Sequence, residues 1–308
     1  MEKINFLKMH GQGNDFILID STKKDFNFKP EQIKKICDRH FGIGADGLIL
    51  VKNSKLADFL MDYYNQDGTS AEMCGNGIRC MAAFIIYNKL SDKKILNIET
   101  KAGIKKVEIN NSNLIKVNMG SPIFNPDSIP FILADKTLQN INNLKILNYP
   151  LSFNYADISL KFNINAVSMG NPHCVIFLDD NLDNFNSSYN INNIPIEKWG
   201  PALENNPFFP KKTNVEFIEI INKDEIAMRV WERGVGETLA CGTGACASAV
   251  CAIELGKIKS SCVKVNLLGG QLKIYWEGSK SNNKDVFLEG KVNIVFSGIY
   301  FLKIKNLF

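Results

Sequence analysis

Short apolar runs separated by turn residues dominate this chain, and only two apolar stretches reach helical length without interruption. Ile4 to Met9, Phe16 to Asp20, Leu48 to Lys52, Phe59 to Tyr64, Leu96 to Thr100, Ile104 to Ile109 and Leu114 to Met119 have strand length. Ile226 to Trp231, Val263 to Leu267, Leu272 to Trp276, Val286 to Glu289 and the tail Val292 to Ile304 continue the pattern. Their shortness predicts mostly antiparallel pairing. Pro30 near the start of Pro30 to Arg39 predicts a helix there. The two long runs, about Asn76 to Lys89 and Thr243 to Leu255, predict two further helices. The first is apolar on nearly every side, through Ile78, Met81, Phe84, Ile85 and Ile86, which predicts burial inside a curved sheet. The second is rich in Ala and Ser, which lets strands pack closely around it, and Gly256 predicts its end.

Each long helix is entered through a cysteine: Cys74-Gly75-Asn76-Gly77 in one case, Cys241-Gly242-Thr243-Gly244 in the other. Asn65 and Glu232 each precede their cysteine by nine residues, at a strand end just before a glycine turn at Gly68 or Gly234. Gly13-Asn14 and Gly170-Asn171 each open an apolar strand that ends in aspartate. The order Gly-Asn strand, strand-turn, Cys-Gly-X-Gly helix therefore occurs twice, the mark of an old duplication into two similar lobes. The expected N-terminal lobe is 1–119, completed by a final strand at about 294–308, and the C-terminal lobe is 120–293. The crossing falls near Gly120-Ser121-Pro122, and a site between the lobes would see both cysteines. A thiol at a helix N-terminus sits where free N–H groups and the helix dipole favour negative charge, so both thiols are expected to ionise more readily than usual.

Composition narrows the picture. The 308 residues suffice for two domains with cores of their own. The formal charge of +4 is spread without a Lys/Arg block, so no nucleic acid partner is expected. No signal-like start and no run of membrane-spanning length are evident, so no membrane association and a cytoplasmic location are expected. The eight cysteines are expected to be reduced, with Cys37, Cys80, Cys174, Cys246, Cys251 and Cys262 serving as small buried hydrophobes. No metal site is expected: there is no Cys-X-X-Cys, and His10, His40 and His173 are far apart. The Asn-, Asp- and Lys-rich segments Asp135 to Asn148 and Asp180 to Asn193 are expected to be surface loops or short helices.

His10-Gly11-Gln12-Gly13-Asn14-Asp15-Phe16, Cys74-Gly75-Asn76-Gly77-Ile78-Arg79-Cys80, Gly170-Asn171-Pro172-His173-Cys174 and the run from Glu232 to Gly244 together resemble the diaminopimelate epimerase family, in order and over the whole chain. The resemblance implies interconversion of L,L- and meso-diaminopimelate, a step toward lysine and peptidoglycan, with no pyridoxal phosphate, metal or other cofactor. It also implies an α/β (α+β) fold of two pseudo-symmetric lobes, each a mostly antiparallel, barrel-like sheet around a central helix, and commonly a homodimer. Inverting an α-carbon needs a base on one face and an acid on the other, and Cys74 and Cys241 meet that need as thiolate and thiol. Backbone N–H groups at Gly75-Asn76 and Gly242-Thr243 are expected to hold the substrate carboxylate as charge spreads onto it. By the resemblance, His173 and Glu232 tune the thiols, and Asn14, Asn65, Asn171 and Asn214 bind substrate. Arg233 is expected to clamp the distal carboxylate. Many members carry Gln where this chain has Gly47, which puts one polar contact in doubt.

Other readings place the chain among cofactor-independent racemases such as proline racemase or hydroxyproline epimerase, or treat Cys74 and Cys241 as a thiol redox pair. Arg233 and the Asn set argue against a cyclic imino acid, which has no second charged head. A non-catalytic anion-binding protein would not need two cysteines at equal repeat positions.

Overall fold

The computed structural model describes residues 2–111, 113–134, 144–155, 158–181 and 189–302. The chain divides into two compact units, Met1–Asn118 with Glu289–Phe308, and Met119–Leu288. Of the segments expected to be loops or tail, 135–143, 182–188 and 303–308 lie outside the described residues.

In the first unit, strand Glu2–Gly11 pairs antiparallel with both Asn293–Leu302 and Asn14–Asp20. From Asn14–Asp20 the pairing proceeds parallel to Gly47–Lys52, antiparallel to Phe59–Asn65, parallel to Ile95–Thr100 and antiparallel to Gly103–Asn111. Gly103–Asn111 then pairs antiparallel with Leu114–Gly120. Helix α1 (Pro30–Cys37) covers part of this sheet, burying Ile33, Ile36 and Cys37 against Ile17, Ile19, Leu48 and Leu50. Helix α2 (Gly75–Tyr87) is buried at every residue from Gly75 to Ile85 and packs on Glu2–Gly11, Asn14–Asp20, Gly47–Lys52 and Gly103–Asn111. Strands surround it because it has no polar face to give to water.

The second unit repeats this order. Strand Ile146–Tyr155 pairs antiparallel with Ile158–Ser168, which pairs antiparallel with Pro172–Phe177. The pairing continues parallel to Asn214–Asn222, antiparallel to Glu225–Glu232, parallel to Cys262–Leu267 and antiparallel to Gly270–Tyr275. Helices α3 (Ile196–Glu204) and α4 (Gly242–Glu254) complete this unit, and α4 packs on Ile158–Ser168, Pro172–Phe177 and Asn214–Asn222 among others. The alternation of antiparallel and parallel neighbours therefore matches between the units, as expected for two pseudo-symmetric lobes. The parallel register aligns Phe16 with Gly47 in the first unit and His173 with Asn214 in the second. Counting from these pairs, His173 stands where Phe16 stands, Asn214 where Gly47 stands, and Glu216 where Ile49 stands.

Several elements differ from expectation, among them strands Ile158–Ser168 and Asn214–Asn222, which the turn-bounded pattern did not single out. Strand Ile146–Tyr155 begins inside a segment expected to be irregular; its Leu151 and Phe153 join a core with Phe162, Trp199 and Phe217 that outweighs its Asn and Pro content. Helix α3 was not anticipated because Gly200-Pro201 interrupts it. The glycine is required there: a Cβ on Gly200 would fall 2.6 Å from Cγ of the Trp231 ring.

Candidate active site

Cys74 is the N-cap of α2 and Cys241 the N-cap of α4, each with extended backbone (φ −138° and −120°) before the first helical residue. Their carbonyls accept the first helical N–H groups, from Ile78 and Ala245. The four N–H groups of each first turn have no helical partner, so Gly75-Asn76 and Gly242-Thr243 present donors beside each sulfur.

In the first unit, the Cys74 thiol donates to Oδ1 of Asn14 at 3.5 Å, and Nδ2 of Asn76 donates to the same oxygen at 3.1 Å. Asn14 in turn donates from Nδ2 to Oδ2 of Asp46 at 2.8 Å. Asp46 is held by Arg39, and Arg39 also forks onto both oxygens of Asp15. Buried Lys8 pairs with Asp15 at 2.7 Å and also donates to the Gly44 carbonyl. Burial raises the Asp15 pKa, but hydrogen bonds from Arg39, Lys8 and the Asp46 N–H outweigh it and bring the value to about 2. Asn76 is fixed from the other side by fully buried Arg79, whose guanidinium also reaches Gln12, the Gly75 carbonyl and the Lys291 carbonyl. Asn65 lies at the end of its strand opposite Gly47, its Nδ2 donating to Thr69. At Gly47 itself a Cβ would fall 2.6 Å from the Tyr63 ring, so Tyr63 fills the space a side chain would need.

In the second unit, Thr243 Oγ1 lies 3.5 Å from Cys241 Sγ, and Asn171 Nδ2 donates to Thr243 at 3.4 Å. His173 is fully buried, with Nε2 3.0 Å from Asn171 Oδ1 and Nδ1 2.7 Å from Glu216 Oε1. Glu232 accepts the Thr238 hydroxyl at 2.6 Å. Asn214 spends its amide on the backbone: Nδ2 donates to the Pro172 carbonyl and Oδ1 accepts the Arg233 N–H. It thereby sets the turn that carries Arg233, whose exposed guanidinium touches the Lys211 carbonyl through Nη1.

The expected lowering of the thiol pKa fails at Cys241. Burial, then the nearby Glu232 carboxylate, push this thiol well above its usual value, and the Thr243 hydroxyl and Gly244 N–H only partly offset them. All eight cysteines are free. Burial drives Cys37 and Cys80 up to about 12 and Cys174 and Cys251 upward as well. Among the described residues no cluster of His, Cys, Asp and Glu could hold a metal ion, and no helix is long and apolar enough to cross a membrane.

Sequence reasoning missed Glu216, Arg79, Asp46 and the Lys8–Asp15–Arg39 group. Glu216 had a usable signal: a carboxylate flanked by apolar residues in Val215-Glu216-Phe217-Ile218, where only a paired group survives burial.

A family model described as diaminopimelate epimerase matches residues 6–125 and 165–295. The diaminopimelate epimerase of Halothermothrix orenii is 47% identical, the match covering 96% of this chain and 97% of that one. That of Leptospira biflexa serovar Patoc is 43% identical over 96% of this chain and 98% of its own. Among solved structures, a hydroxyproline epimerase from Agrobacterium vitis aligns with a TM-score of 0.64 at 12% identity, covering 97% of this chain and 91% of that one. That last likeness carries the fold alone.

Proposed function

The chain belongs to the diaminopimelate epimerase family, and we propose that it acts through Cys74 and Cys241 as an acid/base pair. The reaction is the interconversion of L,L- and meso-diaminopimelate in lysine biosynthesis. Its difficulty is the weak acidity of an amino-acid α-proton. One thiolate removes that proton while the other thiol delivers a proton to the opposite face, and the roles are exchanged in the reverse direction. Charge that gathers on the substrate carboxylate is held by N–H groups of Gly75-Asn76 and Gly242-Thr243, which are already oriented and need no rearrangement.

The observation that carries this reading is the pair of N-cap cysteines, each opening a buried helix at the same position of a repeated unit. Asn14, Asn65 and Asn171 supply amide contacts to substrate, Asn214 positions the Arg233 turn, and Arg233 binds the distal carboxylate. His173 and Glu232 tune Cys241. Nothing in this scheme calls for a cofactor, because the two thiols account for both proton transfers.

The same reading extends to a cytoplasmic homodimer. Strand Asn293–Leu302 presents Val295, Ile299 and Phe301, each more than half exposed, an apolar patch of the kind that a second copy covers. The test of the reaction is incubation of reduced, metal-stripped protein with L,L-diaminopimelate in deuterated water. The meso isomer should form with one solvent deuterium at the inverted carbon; folded protein that neither inverts nor exchanges would refute the assignment.

A further inference from the structure

At repeat-equivalent positions the two units carry different groups beneath their cysteine helices. The first unit has Phe16 and Ile49; the second has His173 and Glu216, both fully buried. A Cβ built on Gly77 of α2 would meet Ile49 Cδ1 at 3.1 Å, whereas one on Gly244 of α4 would meet Glu216 Oε1 at 2.7 Å. A carboxylate thus replaces a methyl under the first turn of α4, and its Oε2 has no hydrogen-bond partner among the described residues. A carboxylate and an imidazole taken wholly out of water need a reason, since an apolar pair fills the same place in the first unit.

The hydrogen bonds supply one. Oε1 of Glu216 faces Nδ1 of His173, and Nε2 faces an acceptor, Oδ1 of Asn171. Both ring nitrogens therefore face oxygen, and Nε2 must carry a proton to bond there. We propose that Glu216 is a positioning residue that with His173 holds two protons, one shared between Oε1 and Nδ1 and one on Nε2, so that Nε2 always donates toward Asn171. The direction of every later bond follows. Asn171 accepts at Oδ1 and donates from Nδ2 to Thr243 Oγ1, which leaves the Thr243 hydroxyl hydrogen for Cys241 Sγ. That hydroxyl then stabilises a Cys241 thiolate at the moment it forms. Were Glu216 a bare carboxylate beside a neutral ring, Nδ1 would hold the only proton, Asn171 would turn over, and the donors would point away from sulfur.

The surroundings favour the neutral pair. Burial pushes the Glu216 carboxyl up, the His173 ring opposes this, and Glu232 adds to the rise. Of the other titratable neighbours, Cys174 and Cys251 are thiols that burial keeps protonated, and Cys241, raised likewise, is a thiol until it acts. At Cys74 the bond runs the other way: its thiol donates to Asn14.

The inference rests on the proposed role of Cys241, and its test reads His173 directly. In the whole protein labelled with 15N-histidine, with His10 and His40 assigned by replacement, Nε2 of His173 should resonate in the protonated range at pH 8. An unprotonated Nε2 there overturns the proposal, whatever the activity. Glu216→Ile, the residue of the first unit, should lower kcat/KM at least tenfold and move the thiol limb of the pH profile upward. Glu216→Gln, whose amide can donate to Nδ1, should stay within about threefold of wild type. Full activity in the folded Ile variant, or equal losses in both, would count against Glu216 as the group that sets this direction. Loss of the Cys241 role alone would show instead as turnover by Cys241→Ala with an unchanged His173 signal.

Discussion

The carboxylate of Glu216 lies against Gly244, so closely that a methyl group on that glycine would sit 2.7 Å from Oε1. Gly244→Ala must therefore push Glu216 off His173 or shift α4, and overpacking of this kind costs about 1–3 kcal/mol. The matching Gly77→Ala meets the ends of Ile49 and Met61, both at 3.1 Å, which can move aside, and Cys74 Cβ at an ordinary 3.5 Å. Urea unfolding and steady-state assays of both variants should show the larger loss, in stability and in kcat/KM, at Gly244. Equal losses would mean that the glycine serves the helix turn and not the carboxylate.

Acid should weaken the first unit through Asp15. Its folded pKa of about 2 lies below the ordinary aspartate value of 3.8, so its contribution is fully present above pH 4 and is lost as the pH falls toward 2. The difference corresponds to roughly 2 kcal/mol. Asp15→Asn should remove that amount at pH 7 and flatten the dependence of stability on pH between 4 and 2. An unchanged acid limb in denaturation would place the ion group elsewhere.

Arg233→Ala should raise the Michaelis constant for diaminopimelate by tenfold or more with a smaller effect on kcat. The guanidinium is exposed and, among the described residues, its hydrogen bond is to a backbone carbonyl, so the fold should be unaffected. An unchanged constant in the variant would remove Arg233 from the substrate site.

Val295→Lys with Phe301→Lys should convert a dimer to a monomer in sedimentation velocity while the far-ultraviolet dichroism is retained. Both side chains are about half exposed in the single chain, so the change costs the monomer little. A wild-type protein that sediments as a monomer would withdraw the dimer.

Much of the fold was legible in the sequence. Helices α2 and α4 are mostly apolar over thirteen residues and begin at Cys-Gly-X-Gly, and a run of that length buried on nearly every side reads as a helix enclosed by strands. Most of the short strands declared themselves through their turns, but Ile146–Tyr155, Ile158–Ser168 and Asn214–Asn222 did not. Helix α3 did not, because Gly200 and Pro201 read as a break and only the Trp231 ring explains the glycine. At the site, the duplication pointed to both cysteines, and the repeat aligned Asn65 with Glu232. What it left hidden were groups whose work depends on tertiary pairing. Glu216 sits in an apolar strand, and only His173, distant in sequence, shows why a carboxylate is tolerated there. The rise in the Cys241 pKa was equally illegible, since helix-end position argues one way and depth of burial, known only in the fold, argues the other.

The most direct test replaces each cysteine in turn. Cys74→Ala and Cys241→Ala, both folded by dichroism, are assayed for conversion of L,L- to meso-diaminopimelate by chiral chromatography. Each should lose at least about a hundredfold in kcat/KM, the scale of an acid or base in proton transfer. If either variant keeps a tenth or more of wild-type turnover, one thiol suffices and the two-base account is wrong.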